Sequence, residues 1–291
     1  MQRALMLLSI MLISATVQAG DKLKPFILAE QSSLPMAELL HQTETKLSNS
    51  GFEITGSYQP YAGVHILVIT NDKIKQAAAS SKHGGYAAGL RVALVVREGS
   101  LQLSYTNPVY LAHAYRLKED MKDVLTQLKL ILGFQQDFGA KKGLSADQLH
   151  DYHYTFGMEY FDEPSKLGEF DTHQLTLDAV EEGLAAGRGG AHKVYRIDIP
   201  GKQETVFGVA LSKSCSSDEF IMGHIDFQPL SSAAHLPYEI LVSGNQVLAL
   251  YARFRIAINF PDLKMMGANS FMKIMCAPGE IEAALKEVVH P

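Results

Sequence analysis

The sequence predicts an α+β protein of two similar lobes. Each lobe reads helix, strand, strand, helix, strand, strand, helix, with mainly antiparallel sheets and helices packed on one face. Three observations predict this. The stretch LRVALVVREGSLQLSYTNP at 90–108 alternates with period two on both sides of an Arg97-Glu98-Gly99-Ser100 turn, the signature of a hairpin. A second stretch at 236–252 repeats that pattern at one constant offset: Leu90 matches Leu236, Val92 Tyr238, Leu94 Ile240, Val96 Val242, Leu101 Val247 and Tyr105 Tyr251. Segments of helical period flank both hairpins. Two-fold duplication accounts for all three. Identities between the halves are few, and the alternative is that any two alternating hairpins align this well.

In chain order, residues 1–19 read as an export signal. Arg3 is the positive end, 4–17 is an apolar run, and Val17-Gln18-Ala19 offers residues that a signal peptidase accepts, so cleavage is expected after Ala19. The expected location is the periplasm or the medium. The run is shorter than the roughly 20 residues of a membrane span, and no later run approaches one, so stable membrane insertion is not expected. No cysteine near the cut offers a lipid anchor.

The first lobe is expected over 20–132. A helix over 33–49 starts at Ser32 or Ser33 and stops at Gly51. Strands follow at 52–58 and 63–70, then a short alanine-rich helix at 73–81 and a His83-Gly84-Gly85 breaker. In the hairpin, Leu90, Val92, Leu94 and Val96 form an apolar face continued by Leu101, Leu103 and Tyr105. Arg91, Gln102, Ser104 and Thr106 mark the other face, expected to be the wetter one. Pro108 ends the ladder, and 109–132 reads as helix.

Residues 133–172 are a connector, too rich in Phe and Tyr to be disordered, and expected to pack across both halves. The second lobe, 173–291, holds a helix at 173–187, strands at 194–199 and 205–211, a short helix at 216–222, and the second hairpin. Further strands are expected at 254–260 and 271–276, and a last helix opens at Pro278.

The 291 residues suffice for two domains of ordinary size. The net charge is −5 and no basic cluster exists, which argues against nucleic acid as a partner. Cys215 and Cys276 each close a strand-like run. An oxidising compartment favours a structural bridge between them; two buried thiols are the alternative, and a redox pair lacks CxxC spacing.

In this order of elements the chain resembles the family called domain of unknown function 302. The cues are the helix ending in Gly51-Phe52, the strand HILVITN and the hairpin LRVALVV…LQLSYTNP. The second half adds VYRIDIP and the run AHLPYEILVSGNQVLAL. The likeness covers most of 34–116 and 173–290. It implies a compact α+β domain that pairs with a second copy, here as two divergent copies in one exported protein, with a homodimer as the related expectation. It implies no reaction, so no catalytic residue is carried over. The long connector and the tail RFRIAINFPDLKMMGANSF depart from the family pattern.

His235, Pro237 and Glu239 share one face of the second hairpin's first strand if that strand is extended, and Arg253 and Arg255 follow with the same alternation. A structural Glu–Arg pair is one reading, since a covered carboxylate needs a partner. A cleft in which His235, Glu239, Arg253 and Arg255 hold a small anionic ligand is the functional one. His224 and Asp226, two apart, offer metal ligands alongside His235 and Glu239. His150 and His153 are a weaker pair. Met265, Met266, Met272 and Met275 cluster beside Cys276. Thioethers suit Cu(I), but methionine commonly fills cores, and the cluster is read as core. His83-Gly84-Gly85-Tyr86 lacks the lysine of a phosphate loop and is read as a turn. No Gly-x-Ser-x-Gly, HExxH or CxxCH occurs, and no motif names a cofactor. The expectation is an exported binding or accessory protein. The alternatives are an enzyme acting on a small anionic molecule in the second-lobe cleft, with Glu239 or His235 as base, and a metal-binding protein.

Overall fold

The computed structural model describes residues 22–155 and 157–290. The predicted leader at 1–19 lies outside the described residues. The chain begins with β1 (Phe26–Ser32), α1 (Met36–Asn49), β2 (Glu53–Tyr58), β3 (Val64–Thr70), α2 (Asp72–Ala79), β4 (Leu90–Arg97), β5 (Ser100–Thr106), α3 (Pro108–Ala114) and α4 (Lys122–Leu132). The middle carries β6 (Gln136–Phe138), α5 (Ala146–His150) and β7 (Ser165–Glu169). Then come α6 (His173–Ala185), β8 (Ala191–Asp198), β9 (Glu204–Leu211), α7 (Asp218–Ile225), β10 (Tyr238–Ser243), β11 (Gln246–Ala249), α8 (Ala252–Asn259) and α9 (Ala277–Val289).

The protein is α+β, with two antiparallel sheets. One is ordered β2-β3-β4-β5-β1-β6 and the other β8-β9-β10-β11-β7. The first five strands of each sheet are thus laid out in the same sequence of connections. The hairpins also share register: Arg97 pairs with Ser100 at one tip, Ser243 with Gln246 at the other.

Local chemistry sets the helix starts. Asn71 accepts from the Ile74 N–H at 2.9 Å to open α2, Thr172 accepts from Leu175 N to open α6, and Ser217 accepts from Phe220 N to open α7. Asn107 caps α3 with Pro108 in its first turn. α1 is capped by neither Ser32 nor Ser33: it begins after Pro35, and buries Leu39, Thr43 and Leu47 at a four-residue spacing.

Several expected elements are corrected. The helix expected over 109–132 is two helices, because Arg116 and Met121 take left-handed backbone (φ 51° and 55°) around the Lys118-Glu119-Asp120 corner. The strand expected at 254–260 is helix α8. That helix is buried from Phe254 to Asn259, and a helix covered on all sides carries no amphipathic period to betray it. The strand expected at 271–276 is a single tight turn at Phe271–Ile274. The connector is shorter than expected, because β6 pairs with β1 and β7 pairs with β11. Within it, Phe161 packs against Tyr86 and Tyr115 of the first lobe and Phe254 of the second.

Helices α1 and α4 cover one face of the first sheet, and α6 and α9 cover one face of the second. The other faces meet. β2 runs beside β8, where a Cβ at Gly56 would meet the Val194 carbonyl and lie 2.8 Å from Tyr195 Cβ. The short turn Gly84–Ala87 packs on β9 and β10, and the turn Ala233–His235 packs on β4 and β5. Gly85 N donates to Glu204 Oε2 at 3.2 Å, and Ser231 N donates to Gln102 Oε1 at 3.0 Å. The hairpin face expected to be wet is therefore buried against the other lobe, with Arg91, Gln102, Ser104 and Thr106 all inside.

Candidate functional site

At the centre of the seam lies a buried ionic cluster. Arg91 is the second residue of β4. Its backbone N–H donates to Thr106 Oγ1 at 3.0 Å and its Nη1 to Gly89 O at 2.8 Å. Its Nη2 pairs with Glu239 Oε1 across the lobes. Glu239 is the second residue of β10 and stands opposite Gly208 of β9. The Tyr195 ring occupies the place where a side chain at Gly208 would stand, so glycine there leaves room beside the carboxylate. Arg255, from α8, donates through Nε to Glu239 Oε2 at 2.8 Å. Its Nη2 donates to His235 O at 2.6 Å and to Pro237 O. The guanidinium lies 4.4 Å from the Tyr238 ring centroid.

The structure brings His235, Glu239 and Arg255 together. It does not make His235 part of the strand: His235 closes a short turn before a cis Leu236–Pro237 bond, and β10 starts at Tyr238. Arg253 is elsewhere. Residues two apart on a helix point about 200° apart, so Arg253 faces away from Arg255. It pairs with Glu159 and lines a shallow depression with Tyr154, Phe260 and Phe271.

Burial governs the electrostatics. Arg91, His235, Glu239 and Arg255 are each at most 3% exposed. Desolvation pulls Arg91 below its ordinary value. Desolvation first, then the Arg255 and Arg91 charges, holds His235 well below the usual imidazole range, so it stays neutral. Next to the cluster, burial pushes Asp218 up to about 7, while the Tyr58 hydroxyl (3.1 Å), Leu211 N and the Arg255 charge pull it back. Chemically the cluster is a closed set of two guanidiniums sharing one carboxylate. A general base must reach the proton it takes, and His235 is closed to solvent.

The two metal candidates are not brought together with His235. His224 Nδ1 shares a hydrogen with Phe220 O at 2.7 Å, one turn back on α7, and its ring lies against Phe220. Asp226 ends α7 and turns inward to Arg97 Nη2 (2.7 Å), Ser231 Oγ and Ser232 N. His150 is paired with Asp151, and the His153 ring lies tilted against Tyr160. Among the described residues, no group of three or more His, Cys, Asp or Glu stands where it could hold a metal ion. Cys215 and Cys276 are joined as a disulfide, with Cα atoms 5.9 Å apart, tying the turn before α7 to the start of α9.

The methionine cluster is not core. Met265, Met266, Met272 and Met275 are 46%, 77%, 48% and 60% exposed, whereas Met121 and Met222 are buried.

Arg91, the far half of the cluster, is what sequence reasoning left out. The available signal was an arginine between Leu90 and Val92, in a strand that is otherwise apolar until Arg97 at its exposed tip. Asp218 and Tyr58 gave no signal, because their meeting spans 160 positions. Compared with known proteins, the chain matches no family model, no curated protein and no solved structure.

Proposed function

We propose that the chain is an exported, non-enzymatic binding or accessory protein, formed of two divergent copies of one α+β lobe that are paired face to face. The resemblance to domain of unknown function 302 is part of this proposal. The observation that carries it is the buried Arg91–Glu239–Arg255 cluster. Glu239 pairs with Arg91 across the seam and with Arg255 in its own lobe, each arginine also donates to backbone carbonyls beside it, and the whole is sealed from solvent, so it acts as a clasp between lobes rather than an open anion cleft. The matching strand orders of the two sheets support duplication. The Cys215–Cys276 disulfide supports an oxidising compartment.

Two experiments test the reading. Phenylglyoxal modification with peptide mapping on the native chain is expected to label Arg253 and spare Arg91 and Arg255. Labelling of Arg255 at the rate of Arg253 overturns the closed clasp and reinstates an anion cleft. Cell fractionation with N-terminal sequencing is expected to recover a chain beginning at Gly20 outside the cytoplasm; an intact leader in the cytoplasm overturns export.

A further inference from the structure

The loop between α8 and α9 has no counterpart in the first lobe, where a short corner joins α3 to α4. It is nonetheless built. Phe271 N donates to Lys264 O at 2.8 Å and Met272 N to Met265 O at 3.1 Å, which draws the two arms of the loop side by side. Lys264 and Ser270 form a bridge, and Ser270 Oγ donates to Gly267 O at 2.9 Å. The far end is fixed by the disulfide at Cys276.

On this loop sit four exposed methionines. The large apolar residues exposed elsewhere among the described residues are Val, Leu and Phe, and the exposed methionines all belong to this loop. Met272 and Met275 lie one tight turn apart at Phe271–Ile274, which puts them on one side, since residues three apart eclipse in such a turn. Met265 is adjacent to Met272 through the backbone bond. Tyr154 stacks on Phe271 and donates its hydroxyl to Met265 Sδ, so this sulfur is held in place.

We propose that this loop is a Cu(I)-binding site whose ligands are drawn from the thioethers of Met265, Met272 and Met275, which the backbone brings together, and of Met266 beside them. Soft thioethers select Cu(I) over harder divalent ions. In an oxidising compartment a thiol is lost to a disulfide, as Cys215 and Cys276 are, and the thioether is the soft donor that persists. Lys264 and Lys273 lie within the loop, next to Met265 and Met272, a modest repulsion for a single positive charge at a solvated surface. A protein-docking patch is the competing use of such a surface. It would draw on aromatic and branched residues, and the exposed large apolar side chains of this loop are methionine alone. The proposal borrows from the exported reading only the place where copper would be met; binding needs the loop alone.

The test uses the signal-free chain with its disulfide intact, checked by non-reduced mass, and Cu(I) held in ascorbate against bicinchoninate. The native chain is expected to take up one Cu(I), with only sulfur around copper in its X-ray absorption spectrum. The variant with Met265, Met266, Met272 and Met275 all changed to Leu keeps size and apolarity and loses sulfur. It is expected to lose more than the roughly 10–100-fold typical of changes around a metal site's ligands. On the unaltered chain carrying 13C-methyl methionine, silver(I) as a redox-inert probe is expected to shift these four methyl resonances and leave Met121 and Met222 in place. Failure of the native chain to compete, undiminished uptake by the Leu variant, or unmoved methyl signals each overturns the site. None of these results bears on export, which fractionation decides separately.

Discussion

Glu239 holds two guanidiniums with one carboxylate, and each partner comes from a different part of the chain. Removing its charge strands both arginines in a site that water does not reach. Glu239→Gln is expected to cost about 3–5 kcal/mol, the usual loss when one member of a buried ion pair is removed. Urea unfolding measures it, and a cost below about 1 kcal/mol would contradict the clasp. Arg253→Ala, at the half-exposed pair with Glu159, is expected to cost at most about 1 kcal/mol in the same assay. Asp218 adds a pH dependence. Its folded value is raised to about 7 from 3.8, so the folded chain keeps a proton that the unfolded chain releases near pH 4. Stability from this group is fully present below pH 4, falls as pH rises towards 7 and levels off above. Asp218→Asn, neutral throughout, is expected to lack this fall, as urea midpoints at pH 5 and pH 8 will show; parallel profiles for the two proteins would discount Asp218 as the cause.

Among elements, the hairpins were legible and their surroundings were not. Period-two alternation marks β4, β5 and β10 because a strand sends neighbours to opposite faces whatever covers them. Which face is wet is a different matter. Arg91, Gln102 and Ser104 read as a solvated face, yet they lie at the seam, since polarity does not distinguish water from a polar partner. Likewise α8 read as a strand because full burial erased its period, and that error placed Arg253 beside Arg255. β6 and β7 are three and five residues long, too short to show a period inside an aromatic connector. Two predictions belong to this scale. Gly208→Ala puts a methyl into the Tyr195 ring and is expected to cost on the order of 1–3 kcal/mol, read as a lower urea midpoint. Gly223→Ala, at ordinary φ and with no atom within 4 Å of the new methyl, serves as the comparison without a clash. Replacing both Cys215 and Cys276 by Ser opens a link across 61 positions and is expected to cost about 2–4 kcal/mol. Calorimetry of the two forms checks this, and equal unfolding temperatures would refute it.

For the whole molecule, the α+β class and the two hairpins came from periodicity, while β1, which no expected element covered, the helical state of α8 and the joining of the halves came only from three dimensions. Chain cleaved near the exposed Gly157 is expected to stay together in gel filtration, because the seam buries Arg91, Glu239 and Tyr195 between the fragments. Separation of intact folded halves would show that the seam is not what holds the lobes.

The register of the hairpins gives the clasp a further meaning. Ala93 occupies in the first lobe the place of Glu239 in the second, and Pro237 occupies the place of Arg91. Were the first lobe to meet another of its own kind in the same manner, two Arg91 side chains would be sealed in without an acid. Were the second lobe to do so, each Glu239 would keep only Arg255. Two first lobes paired this way would therefore bury an uncompensated positive charge, and the acid that relieves it is supplied by the other half of the same chain.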